Sequence, residues 1–209
     1  MIDFYTFPTP NGIKASIMLE EIKLPYNLIS IHIGNNEQFS DEFLKINPNN
    51  KVPAIVDHDG PGHEPISVFE SGAILIYLAK KVQSKLLPDD PRKSSIVMEW
   101  LMFQMANIGP MFGQMNHFLK YAKEDVPYGK QRYSEESKRI LGVMEKRLVN
   151  MEYFAGDYSI ADIATFGWVR SVEEFFKDYE EYPNIQQWYN RLGKRTAVKT
   201  VLSSHGYTI

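Results

Sequence analysis

Three short strings hold the residues best suited to chemistry: "TPNG" at 9–12, "NNKVPAI" at 49–55 and "FESGAIL" at 69–75. The first follows an apolar strand and opens an amphipathic helix. Thr9 and Asn11 therefore stand where free backbone N–H groups and the helix dipole favour an anion. In many redox proteins with this strand–turn–helix start, a cysteine occupies the turn and is held there as its thiolate. Here the turn offers Thr9, Pro10 and Asn11, and the chain has no cysteine. Disulfides, thiolate metal sites and a protein thiol nucleophile are thus excluded, and any thiol chemistry must use a thiol brought from outside. Thr-Pro-Asn-Gly is also ordinary turn-and-cap composition.

In "NNKVPAI", a proline at the start of a buried strand removes a ladder hydrogen bond unless the chain bends there. A cis Val52–Pro53 bond would make that bend and turn the Val52 N–H and C=O toward a cleft, where an extended peptide can pair with them. An ordinary strand-initiating proline is the alternative. Lys51 suits a carboxylate partner or plain solvent. In "FESGAIL", the Ser71 hydroxyl and the first free N–H groups of a helix make a site for a carboxylate, and Glu70 can pair with an amine beside it. A zwitterionic amino-acid end matches that pair, as does a simple serine N-cap with no ligand.

The elements that must position these residues follow from periodicity. "IDFYTF" reads as a strand, "IKASIMLEEIK" as a helix and "YNLISIHI" as a second strand. A short helix "DEFLKI", a strand "VPAIVD", the turn "HDGPGHEP", a strand "ISVF" and a helix "SGAILIYLAKK" complete a βαβ–ββα order. A βαβ unit implies a parallel pair and the hairpin an antiparallel one, so the expected sheet is small and mixed. "LLPDDPRKS" marks a domain boundary, giving domains of residues 1–83 and 91–209. The second reads as all helix: 94 to about 123 with an interruption at Gly109-Pro110, 134–151, 159–176 and 184–201. Ser159 and Asp162 form a capping box at the third of these.

Composition narrows the function classes. The chain of 209 residues is 44% hydrophobic and 23% charged with a formal net charge of -3, so it has no electrostatic footprint for nucleic acid or anionic membrane. "GAILIYLA" is too short to span a bilayer, and the start has no leader pattern; a cytoplasmic protein is expected. The five histidines show no metal-ligand spacing. Met98, Met102 and Met105 recur at helical spacing, which reads as core more than as a ligand surface.

The element order together with "NNKVPAIVD", "FESGAILIYLA" and "SIADIA" resembles the cytosolic glutathione transferases over essentially the whole chain. The resemblance implies an α/β thioredoxin-like N-terminal domain that binds glutathione, an all-α C-terminal domain and a homodimer. It implies that the γ-glutamyl end sits at Ser71 and Glu70, the tripeptide lies along Val52, and its sulfur points to the turn at Thr9 and Asn11. In this family a serine or tyrosine near that turn often activates the thiol; here the serine position falls on Pro10, and Tyr5 lies inside a strand. "PTPNG", "EQFSDEFLKINPNNKVPAIVDH", "GPMFGQMNHF" and "VPYGKQRY" resemble, more narrowly, the nu class, bacterial proteins related to the fungal nitrogen-regulatory prion protein. That resemblance implies reduction of disulfides without a protein cysteine, by one or two bound glutathiones, the site holding two glutathiones or their oxidised disulfide. Gln38, Lys51, Val52, Glu70, Ser71 and Arg132 would be the binding residues, with Thr9 and Asn11 catalytic and a small-molecule or peptide disulfide as substrate. Conjugation of glutathione to small electrophiles, and a non-catalytic glutathione-binding module, are the alternatives.

Overall fold

The computed structural model describes residues 1–172 and 181–204. They fall into two compact units, Met1–Leu87 with Arg195–Ile209, and Pro88–Lys194. In the first, β1 (Ile2–Thr6) alternates buried and half-buried residues, the period-two signature of a strand covered on one face. The chain then enters α1 (Pro10–Ile22), one turn earlier than the apolar spacing predicts, because a first-turn proline presets a helical φ. It continues through β2 (Tyr26–Ser30), α2 (Asp41–Ile46), β3 (Ala54–Asp57), β4 (Ile66–Phe69) and α3 (Ser71–Lys81). The strand order is β2-β1-β3-β4. β1 runs parallel to β2 and antiparallel to β3, which pairs antiparallel with β4. This is the small mixed sheet expected from the sequence.

Ile13, Ile17, Met18 and Leu19 of α1 and Ile74, Leu75 and Leu78 of α3 are fully buried with Phe4; each contributes roughly 1.5–3 kcal/mol of burial. β2 is briefer than its apolar pattern, since the chain turns into short 3-10 segments at Ile33–Asn35 and Glu37–Phe39.

The second unit comprises α4 (Pro91–Phe103), α5 (Gly109–Asn116), α6 (Pro127–Leu148), α7 (Ile160–Val172) and α8 (Pro183–Gly193). Gly109-Pro110 does not break the helix. A π-helical turn at Gln104–Ile108 precedes it, and such a widened turn absorbs the missing proline N–H. α6 begins at Pro127, again a proline in the first turn, earlier than the expected Ser134. The expected extension of α7 to Phe176 lies outside the described residues. The segment expected as one helix over 184–201 is two, α8 and α9 (Thr196–Ser204). α9 returns to pack on α1 in the first unit, where Arg195 just before it grips Glu21 of α1 through both carboxylate oxygens, at 2.6 and 2.9 Å.

Candidate functional site

The register of the sheet gathers the candidate residues. Tyr5 pairs with Ala54 and Ala54 with Phe69, while Thr6 pairs with Ser30. The segments carrying Thr9 and Asn11 (after β1), Gln38 (after β2), Lys51 and Val52 (before β3) and Glu70 and Ser71 (after β4) therefore all leave the sheet at one end. Arg132 belongs to the second unit and is exposed on α6.

At the α1 turn, Thr9 is the N-cap: its backbone is extended, and its Oγ1 accepts from the Gly12 N–H at 3.0 Å. A hydroxyl that accepts there keeps its own O–H as a donor. Asn11 lies in the first turn, half-buried. Glycine is required at position 12, because a Cβ would come within 2.3 Å of the Phe7 carbonyl oxygen and 2.6 Å of Thr6 Oγ1. Strand and helix can approach this closely only without a side chain. Tyr5, by contrast, sits in β1 against Phe43, and burial raises its phenol above the ordinary value, the wrong direction for a group that activates a thiol as its phenolate.

The loop before β3 is shaped by Asn47, 2% exposed. Its side chain donates to the Lys51 carbonyl at 2.6 Å and accepts from the Asn49 N–H at 2.9 Å. The Val52–Pro53 bond is cis. Val52 packs its side chain on the cluster of Ile31, Phe43 and Ala54, and Lys51 is exposed. After β2, Gln38 is half-buried, and its Oε1 is buried with no hydrogen-bond partner among the described residues. Such an acceptor is costly to leave unmet and suits the N–H of a peptide ligand.

At the fourth segment Glu70 occupies the N-cap position of α3, and Ser71 is its first helical residue. Glu70 has φ 68° and ψ 116°, a conformation that costs a non-glycine residue about 1–3 kcal/mol and collects at functional sites. Ser71 is buried. Its Oγ accepts from the Nζ of Lys14, 3.2 Å away. Lys14 is itself only 1% exposed; burial pulls its amine down to about 7, and the Glu70 carboxylate opposes that pull. The hydroxyl of Ser71 is thus backed by a buried amine.

Neither Lys14 nor Asn47 was singled out from sequence. The signal for Lys14 was present: it falls three before Ile17 and four before Met18, on the apolar stripe of α1, where a lysine has no solvent to reach. The methionine stripe differs from expectation as well. Val97, Leu101 and Ile108 form the buried face, whereas Met102 is 45% exposed and Met98 and Met105 are half-buried. Among the described residues, no group of three or more His, Cys, Asp or Glu is placed to hold a metal ion, and no helix is long and apolar enough to cross a membrane.

Residues 2–80 match the family model for the glutathione S-transferase N-terminal domain, and residues 111–195 match that for the C-terminal domain. The chain belongs to the glutathione S-transferase family. This transferase is 45% identical over 204 residues to the disulfide-bond oxidoreductase YfcG of Escherichia coli, covering 97% of this chain and 94% of that protein. A glutathione transferase from Pseudomonas putida, solved with one glutathione disulfide bound per subunit, is 43% identical with a TM-score of 0.92, covering 96% of this chain and 90% of that one. One from Burkholderia graminis, solved with two glutathione molecules bound per subunit, is 47% identical with a TM-score of 0.92, covering 97% and 88%.

Proposed function

We propose that this transferase reduces disulfides with glutathione as the thiol substrate, using no thiol of its own. The observation that carries the reading is the sheet end just described. A cysteine-free helix start at Thr9, an unmet amide acceptor at Gln38, the Val52 backbone just before β3 and an amine-backed serine at Ser71 lie on segments that leave one end of the sheet. The kinship to YfcG and to transferases holding one glutathione disulfide or two glutathiones supports it.

On this reading residues 1–83 form the glutathione-binding domain. Ser71 takes the γ-glutamyl carboxylate, Glu70 the ammonium, Val52 the peptide backbone, and Gln38 and Lys51 the remaining polar groups. Thr9 and Asn11 donate to the sulfur and, with the open end of α1, favour its thiolate. That sulfur attacks one sulfur of the substrate disulfide; an S–S bond forms as another breaks, and the released thiolate takes a proton. A second glutathione thiolate attacks the glutathione sulfur of the mixed disulfide and releases the second substrate thiol. Two glutathiones are oxidised to one disulfide for each substrate disulfide reduced. Arg132, on α6, is the cation assigned to the second glutathione on this reading, since two anionic tripeptides bound together repel without added cations. The working form is a cytoplasmic homodimer.

Calorimetry with reduced and oxidised glutathione tests the assignment. Oxidised glutathione is expected at one disulfide per chain. Ser71→Ala should weaken both ligands about tenfold or more, since a charge-assisted hydrogen bond is worth about 1.5–3 kcal/mol, and Arg132→Ala should weaken the oxidised form more than the reduced one. Failure of oxidised glutathione to bind, or wild-type affinities in both folded variants, would reject the reading in favour of conjugation at a single glutathione.

A further inference from the structure

Lys14 is placed where solvent-facing lysines are not. It lies on the buried face of α1, 1% exposed, with its Nζ 3.2 Å from the hydroxyl of the serine that heads α3. A lysine held inside an apolar interface is expensive, and apolar replacements fit such helix positions well. We infer that Lys14 is a positioning residue for glutathione, coupling the arrival of the γ-glutamyl carboxylate at Ser71 to protonation of its own buried amine. The inference rests on the glutathione reading above and adds a proton to the binding step.

The geometry supplies both halves. An ammonium can only donate, so when Lys14 is charged the Ser71 oxygen accepts from it and the serine O–H is directed away as a donor, the orientation an incoming carboxylate needs. A neutral amine can accept as well as donate, which removes that orientational demand. Burial has already drawn the amine down to about 7 in the free protein, so near neutral pH it is divided between the two forms. An anion seated at Ser71 adds an opposite charge beside it and draws the proton back on.

Several charged groups on the helices around Lys14 are engaged elsewhere or distant from its amine. On α1, Glu20 accepts from Tyr26 and Glu21 holds Arg195, both roughly 9 Å or more along the helix from Lys14. On α3, which packs against α1, Glu70 is the charge that acts on the amine. Lys80, Lys81 and Tyr77 lie toward the far end of that helix, the latter two bound to Asp57. On α9, the other helix packed on α1, Lys199 is exposed. Glu70 thus opposes the effect of burial on the Lys14 amine, and a bound carboxylate acts in the same direction as Glu70.

The test uses S-methylglutathione, whose sulfur carries no proton, titrated into the whole protein by calorimetry in pairs of buffers with different ionisation enthalpies between pH 6 and 8. Wild type should take up a substantial fraction of a proton per ligand at pH 8 and little at pH 6, with affinity falling several-fold as pH rises across that range. Lys14→Met, checked for folding by circular dichroism, should bind about tenfold more weakly at pH 6, with no proton uptake and an affinity flat with pH. Lys14→Arg should keep the affinity without the uptake, because its guanidinium stays charged throughout. Wild-type binding without proton uptake at pH 8, a result that needs no variant, would overturn the inference while leaving the glutathione site intact; so would uptake that persists in Lys14→Met. Absence of S-methylglutathione binding by wild type would remove the glutathione reading, and this inference with it.

Discussion

Replacing Thr9 and Asn11 together by alanine is expected to slow glutathione-dependent disulfide reduction about 100-fold, with glutathione affinity changed far less. Removing one preorganised donor from a developing or standing anion costs about 100- to 1,000-fold in other enzymes. A thiolate spreads its charge more than an oxyanion, and the open end of α1 survives the double change, so the low end of that range applies. The thiol of bound glutathione should also titrate higher in the variant, because donors to the charged form are what hold it down. Thr9 has a second role that must be separated out: its Oγ1 caps α1 through the Gly12 N–H, and losing a cap costs about 1 kcal/mol. Thr9→Ser keeps both the cap and the donor and should behave as wild type. Thiolate absorbance against pH, with turnover measured in parallel, checks this; superimposable titrations for wild type and the double variant would remove Thr9 and Asn11 from the chemistry.

The second large effect is on stability. Asp162, fully buried near the start of α7, accepts from the Phe154 N–H at 3.1 Å, the Trp188 indole N–H at 2.9 Å, the Ser159 N–H at 3.0 Å and the Ser159 hydroxyl at 3.1 Å. One carboxylate thus ties the capping box of α7 to α8 and to the loop before it. Asp162→Ala strands three buried N–H donors at about 1–3 kcal/mol each, so a loss of about 3 kcal/mol or more in denaturant unfolding is expected. Asp162→Asn retains one acceptor oxygen and should lose less. The pH dependence carries a sign of its own. Burial raises this carboxyl to about 6 against the pull of its donors, above its unfolded value of about 3.9. The folded state then holds more protons between about pH 4 and 6, and the contribution of Asp162 to stability falls as pH rises through that window. The stability gap between wild type and Asp162→Asn should therefore narrow from pH 4 to 6, and a constant gap would contradict the assignment.

The parts of the molecule legible in the sequence are those fixed by local rules. DEFLKI, ISVF and SGAILIYLAKK are bounded in the structure where their apolar spacing and flanking turn residues place them. The mixed sheet follows from the order of its elements. The apolar spacing runs on from α8 into α9, so their split after Gly193 was not read from it; at the junction Arg195 meets Glu21 across 174 positions of sequence, a contact that no window of local periodicity contains. The π-helical turn before Gly109-Pro110 was hidden for a related reason: propensity marks a break, while the packing of the helix around Gly109, close to Gln104 and Trp168, lets it continue. In the site, Ser71 could be read from its place at a helix start. The amine behind it could not be paired with it, since Lys14 lies on another helix and only the packing of α1 on α3 brings the two together. Asn47 likewise reads as one asparagine of a loop until its side chain is seen bracing the segment that carries Lys51 and Val52.

This cysteine-free transferase reduces disulfides with borrowed thiols. The most direct test of that activity is the rate at which purified wild-type protein converts a small soluble disulfide and reduced glutathione to free thiol and oxidised glutathione, recorded beside conjugation of glutathione to an aryl halide under the same conditions. The expected result is disulfide reduction well above the uncatalysed exchange rate, one oxidised glutathione formed per disulfide consumed, and slow conjugation. Disulfide exchange no faster than without the protein, accompanied by brisk conjugation, would contradict it.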